Sequence, residues 1–279
     1  MGRAALRHVA ARSSAGPVPP GARVTLNFHP DRLTRDGRPI LAGLARSGRY
    51  QSQFVTGTSN GGLTAHPGGD RWSWESRLFG AAYDAAPAAD RPVYGALDPD
   101  GAAPVGASPR FGSAHLRLRP EVLARTTFCH PDSVFEPVAF GTADRFGAIA
   151  GSLAARADDR RLDDPLDQYV EAHVHGPVRL RDDVEALVLD PSHRGTDVET
   201  LAATLGCRVE WHGGFRLDVD ELRRHPGYRG PQFVALGEQL ARAGLLTPAI
   251  IGDGARAGHH DLQDLKRVWH HLARFGAPR

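Results

Sequence analysis

The chain predicts an α+β fold, with strands through the middle and helices on the flanks. Three observations carry that expectation. Short β-rich runs recur between residues 24 and 219 without the regular strand–helix alternation of a doubly wound nucleotide-binding fold. Residues 169–176 read YVEAHVHG and alternate, so a strand there puts Glu171, His173 and His175 on one face and Val170, Ala172 and Val174 on the other. Residues 233–243 and 261–275 carry the amphipathic period of packed helices.

In chain order, residues 4–12 form a short helix and GPVPPGA after them a linker. Residues 24–28 make a strand ended by His29-Pro30, because proline disfavours helix at the residue before it. PILAGLAR (39–46) is a helix stopped by Gly48, and YQSQFVTGTSNGG a polar strand entering a glycine-rich loop. Residues 70–83 form a tryptophan-bearing helix. Strands at 92–97 and 112–118 are joined by a Gly/Pro/Ala loop. TTFCHPDSV reads as irregular and 143–155 as helix. Strands follow at 169–175 and 184–189, then helix, strand, strand at 198–205, 208–212 and 215–219.

The 279 residues are 41% hydrophobic and 24% charged, the balance of a globular chain of one large domain or slightly more. No run approaches the ~18 apolar residues of a membrane span, and no apolar core follows the first charges. The expectation is a cytoplasmic protein without a secretory signal, compatible with delivery as an effector. Two cysteines, Cys129 and Cys207, make neither a disulfide framework nor a zinc knuckle. Positive charge is almost all arginine, Lys266 being the single lysine. These arginines are scattered along the sequence, as coding bias would leave them, whereas a polyanion surface needs them clustered.

Three ionisable groups on one strand face are costly to bury unless they are paired, hold a ligand or do chemistry. The plain alternative is an edge strand whose polar face meets water. His173 and His175 could chelate one ion, with His29, His115 or Asp132 completing the set, though nothing in their spacing requires it. Gly57-Thr58-Ser59-Asn60-Gly61 matches the G-x-S-x-G elbow of serine hydrolases. The elbow needs a helix immediately after the serine, and here Gly62, Pro67, Gly68 and Gly69 follow. A polar glycine-rich loop offering backbone N–H groups to a phosphate or amide fits those residues better. His270 and His271 diverge by ~100° on a helix, so WHHLARFG reads as a docking helix packed through Trp269, Leu272 and Phe275.

NFHPDR (27–32), TGTSNGG, PVYGAL, SPRFGSAHLRL, TTFCHPDS and YVEAHVHG together resemble a bacterial family of domains of unknown function, from about residue 20 to the end. Their order is also similar to the ADP-ribosyltransferase superfamily, particularly its DNA-targeting toxin branch. The resemblance implies a split β-sheet core over residues 23–192 with flanking helices. The residues before it read as an arm or lead-in helix and linker at 1–22, and a helical α/β extension packed on the core is expected at 193–279. The resemblance further implies NAD as substrate, with Glu171 as the catalytic glutamate and His173 beside it as a proton acceptor. His29 would contact the NAD ribose, and Tyr94, Thr58, Ser59 or Asn60 would line the nicotinamide pocket. Arg32 and Arg110 would meet the pyrophosphate, with His175 nearby in the cleft. The chain departs from the pattern in lacking a Ser-Thr-Ser run and in carrying His173 where an E-x-E pair has its second glutamate. The activity implied is ADP-ribosyl transfer or NAD hydrolysis, without metal or membrane and with the acceptor open: protein, nucleic acid, small molecule or water. The readings set against it are a hydrolase, metal-dependent through His173/His175 or serine-type through Ser59, and a non-catalytic nucleotide-binding module.

Overall fold

A computed structural model describes residues 1–34, 36–57, 65–155 and 163–278. In chain order, α1 (Gly2–Ala10) leads to β1 (Arg23–Phe28), α2 (Ile40–Ser47), the two-residue β2 (Arg49–Tyr50) and the single turn α3 (Gln53–Thr56). Next come α4 (Asp70–Phe79), β3 (Val93–Asp98), β4 (Ala114–Leu118), β5 (Thr126–His130), β6 (Ala139–Thr142) and α5 (Gly147–Ala155). They are followed by β7 (Val170–Val174), β8 (Val178–Arg179), α6 (Leu180–Asp183), β9 (Val184–Leu189) and α7 (Asp197–Ala202). The C-terminal part adds β10 (Arg208–Trp211), β11 (Leu217–Asp218), α8 (Val219–Arg223), α9 (Pro231–Leu240), β12 (Leu245–Leu246), α10 (Pro248–Arg256) and α11 (Leu262–Phe275).

The expected α+β core with flanking helices is present. Eight strands form one sheet in the order β10-β9-β4-β1-β3-β7-β5-β6, antiparallel throughout except for the β10–β9 edge pair. The pairing changes at β1. Its first half pairs with β3, ending at Thr25↔Ala96, while its second half pairs with β4 alone, from Leu26↔Leu116 to Phe28↔Ala114. The front of β3, from Val93 to Gly95, pairs only with β7. The sheet therefore parts between Asn27 and Tyr94. Gly95 marks the fork: a Cβ there would lie 2.5 Å from the Thr25 carbonyl oxygen and from Leu26.

The strand 169–175 is not a solvated edge. β7 lies between β3 and β5, with Val170, Ala172 and Val174 in the main apolar cluster alongside Leu26, Phe128 and Leu187. TTFCHPDSV is irregular only at its end: Thr126–His130 forms β5, every residue buried, so neither face signals itself by polarity. The polar strand expected at YQSQFVT is instead β2 followed by α3. Residues 215–219 yield only the two-residue β11 before α8 begins, and α10 is an additional helix capped by the Thr247 hydroxyl.

α11 docks as its pattern predicts, with Trp269 and Leu272 fully buried in a second apolar cluster with Phe215 and Leu246. Residues beyond 193 also supply β10 to the main sheet. The N-terminal helix is no free arm: Ala5 and Val9 pack on Phe79, Tyr83, Cys129 and Phe140. Among the described residues no helix is long and apolar enough to cross a membrane.

Candidate active site

The parted sheet opens a pocket between Asn27 and Tyr94, with Glu171 in its wall. β1 supplies one side. Val24, Leu26 and Phe28 point into the core, so Thr25 and Asn27 face the other way. The Thr25 hydroxyl accepts from Ala107 N at 2.9 Å, and Asn27 donates to the Val105 carbonyl at 2.8 Å and accepts from Ser108 N at 3.3 Å. These bonds fold the β3–β4 loop over β1 and carry Ser108, Arg110 and Phe111 to the rim. Gly106 permits this closeness, since a Cβ there would fall 2.4 Å from Asn27 Oδ1.

The opposite wall comes from α4, whose buried residues are Arg71, Glu75, Leu78 and Phe79. This i, i+4, i+7, i+8 stripe puts two charged residues on the apolar face. Glu75 is fully buried and pairs with Arg91 at 2.6 Å while accepting from the Tyr94 hydroxyl at 3.1 Å. Burial pushes its carboxyl up in spite of Arg91. Arg71 lies over the Tyr94 ring at 4.2 Å and lines the pocket, yet its Nε and Nη1 are buried without a hydrogen-bond partner among the described residues. Orphaned charged donors in a pocket wall are costly, and they suit an anionic ligand.

Glu171 faces the same space from β7, 6% exposed. Oε1 receives His173 Nε2 at 2.8 Å, and the Ser133 hydroxyl donates to Oε2 at 3.0 Å. Burial alone would raise this carboxyl. The hydrogen bond from His173, helped by Arg71 and Ser133, outweighs it and lowers the pKa, so Glu171 stays ionised. Asp132 lines the pocket beside it, accepting from Tyr169 OH and, at 2.7 Å, from Val134 N. Burial, then the Glu171 charge, push Asp132 up to about 6. The two carboxyls are thus pulled apart in acidity, a pattern of working acid–base sites.

Of the residues expected from sequence, Glu171, Tyr94 and Arg110 meet at the pocket. Arg110 is already ion-paired with Asp167. His173 is 1% exposed and lies behind Glu171, so it touches the carboxylate and does not line the pocket. His175 is further back, accepting or donating to Tyr83 OH at 2.8 Å and lining a separate cavity. The strand's alternation put all three on one face but not at one depth. His29 is half-buried at the end of β1 with its ring edge-on to Trp269 at 5.0 Å, and is not a pocket-lining residue. Burial, then Arg32 and His193, hold its pKa well below the ordinary value. Arg32 sits on that side with Asp31 and Arg256, also outside the pocket. Thr58, Ser59 and Asn60 lie outside the described residues.

Asn27, Arg71 and Ser133 are the residues sequence reading did not single out. The signal for Arg71 existed in the phase of α4, where it shares a stripe with Leu78 and Phe79. As for metal, Cys129, Glu171 and His173 bring one ligand atom each within 4.8 Å of one another. His175 is not of that set, and neither is His29, His115 or Asp132. The fit is poor, because burial and the neighbouring Glu171 push the Cys129 thiol well up and His173 Nε2 is already spent on Glu171.

Three solved structures of DarT from Thermus sp. 2.9 are similar to this chain. The complex with NAD+ is 14% identical, covers 70% of this chain and 96% of that one, with a TM-score of 0.39. The complex with ADP-ribosylated ssDNA is 12% identical, covers 71% and 97%, TM-score 0.40. The complex with carba-NAD+ is 13% identical, covers 70% and 97%, TM-score 0.40. No curated protein matches the chain. The family model of the proteins of unknown function termed DUF3626 matches residues 23–162 and 152–275, nearly the whole length, and the chain belongs to that family.

Proposed function

We propose that the chain cleaves the nicotinamide–ribose bond of NAD and transfers ADP-ribose to an acceptor or to water. The observation that carries this reading is a buried carboxylate kept ionised, Glu171, in the seam of a parted sheet opposite Arg71, whose Nε and Nη1 have no hydrogen-bond partner among the described residues. As the glycosidic bond breaks, its electron pair neutralises the departing pyridinium nitrogen and positive charge grows on the ribose. A fixed carboxylate lowers the energy of that charge. The acceptor's lone pair closes the new bond at the anomeric carbon, and its proton leaves to a base. Asp132, with a pKa near neutrality and a place in the same pocket, suits that task. Arg71 offers the charge-assisted donors a pyrophosphate needs, and the Tyr94 ring gives a flat wall for an aromatic group. His173 fixes Glu171 rather than meeting substrate.

Incubation of the protein with nicotinamide-labelled NAD tests the reading: released nicotinamide, undiminished by exhaustive chelation, is expected. Loss of turnover with removal of about one bound metal per chain would favour hydrolysis through Cys129, Glu171 and His173. Esterase activity blocked by a serine-directed phosphonate would favour Ser59. An NAD-induced melting shift without turnover would leave a nucleotide-binding module.

A further inference from the structure

Behind Glu171 the polar groups continue in single file. His173 Nδ1 lies 3.2 Å from the Thr127 hydroxyl, which lies 3.0 Å from His175 Nε2, and His175 Nδ1 lies 2.8 Å from Tyr83 OH. Strand register builds the file: Thr127 of β5 is directly opposite His173 of β7. All of its members are almost fully buried. Phe79 is edge-on to both imidazoles at 5.2 Å, and Tyr94 is edge-on to His173 at 5.1 Å, which closes the sides with rings. The far end meets a second cavity of about 380 Å³, which Tyr83 and His175 line with Asp90, Arg125 and the start of α1.

We propose that Thr127, His175 and Tyr83 are positioning residues that fix the tautomer and orientation of His173, and through it the carboxylate of Glu171. The assignment follows from donor counting. An ionised Glu171 only accepts, so His173 Nε2 carries the hydrogen. In the proposed file each imidazole offers one donor and one acceptor nitrogen, and one arrangement then satisfies every link. Tyr83 OH donates to His175 Nδ1, His175 Nε2–H to Thr127, the Thr127 hydroxyl to His173 Nδ1, and His173 Nε2–H to Glu171. His175 keeps its single proton because burial first, and then the positive charges of Arg125 and the N-terminal ammonium, push its pKa down to about 3. The other charged groups facing the file are Glu75 and Asp90 at Tyr83, and Arg71 and Asp132 at Glu171. Every donor thus points toward Glu171, and a change at the second cavity is felt at the carboxylate through four hydrogen bonds.

The proposal rests on Glu171 working on NAD, and its test separates the two. Thr127→Val keeps the shape of the side chain and removes the hydroxyl, and Thr127→Ser returns it. In Thr127→Val the His173 Nδ1 15N resonance should move toward that of a nitrogen without a hydrogen bond. NAD turnover should fall about tenfold in kcat, the usual loss for an orienting partner, with KM changed less than about twofold. Thr127→Ser should restore both. Tyr83→Phe should move the His175 resonances and lower kcat in the same direction. A folded Thr127→Val protein with unchanged His173 resonances and wild-type kcat would overturn the proposal, as would failure of Thr127→Ser to rescue. Resonances that move as stated in a wild type that cleaves no NAD would sink the NAD reading and keep the chain.

Discussion

At the residue scale the site is a contest over where charge can be held. Arg71 is placed at a cost, two donors buried without partners among the described residues, and in the proposed reaction it takes the NAD pyrophosphate. Arg71→Gln should raise KM for NAD by roughly 10–100-fold, the worth of a charge-assisted hydrogen bond, with kcat changed much less. Steady-state kinetics check this, and an unchanged KM would return Arg71 to a structural role. Asp132 makes a second prediction. It takes up a proton as pH falls through about 6, and the neutral form can no longer act as base. Turnover should therefore fall below about pH 6, as an apparent value of the Asp132–Glu171 pair, and Asp132→Asn should remove that limb of the profile. The stability sign is the reverse. A carboxyl raised from 3.8 binds more protons folded than unfolded between that value and about 6, so its contribution to stability is lost as pH rises through the window. Glu171 was legible from sequence because alternation and the motif order both pointed to it. Arg71 was not, since an arginine in a tryptophan-bearing helix reads as surface until the helix phase sets it beside Leu78 and Phe79.

At the element scale the cleft is made by what β1 and β3 stop doing. They pair from Arg23↔Asp98 to Thr25↔Ala96 and then take different partners. Gly95 lets them run close just before they part. Gly95→Val should destabilise the fold by about 3 kcal/mol, an overpacking cost, and should depress NAD turnover beyond the loss of folded protein. Thermal melts with activity measured per folded molecule check it, and a neutral substitution would mean that the strands are not tightly held at the fork. Strands β1, β3, β4, β7 and β9 were readable because each carries an alternating or continuous apolar run between breakers. β5 was not. Thr127 and Cys129 face the site and Phe128 faces the core, so the strand is buried on both sides and shows no polar face. His130-Pro131 beyond it looked like a loop. Ser133, which donates to Glu171, and Thr127, which lies opposite His173, are both on this segment, so a reading of the sequence that names Glu171 passes over the groups around it.

At the scale of the whole molecule, one parted sheet does two jobs. Its apolar face joins the strands to α2, α5 and α7 in the main core. Its polar face carries Glu171 at the pocket and a file of buried hydrogen bonds running back to α1 and α4. The C-terminal helices brace the rim rather than the chemistry: Trp269 Nε1 donates to the carbonyls of Pro109 at 3.0 Å and Arg110 at 3.1 Å, beneath the loop that carries Arg110 to the pocket. The central claim is that this assembly breaks the nicotinamide bond of NAD through the charge of Glu171. The most direct measurement compares nicotinamide release from labelled NAD by the wild type and by Glu171→Gln, with melting temperatures taken on the same preparations. The account predicts release by the wild type and a loss on the order of 10²–10³ in the variant, with little change in melting temperature. Near-wild-type release by a folded Glu171→Gln protein would contradict it.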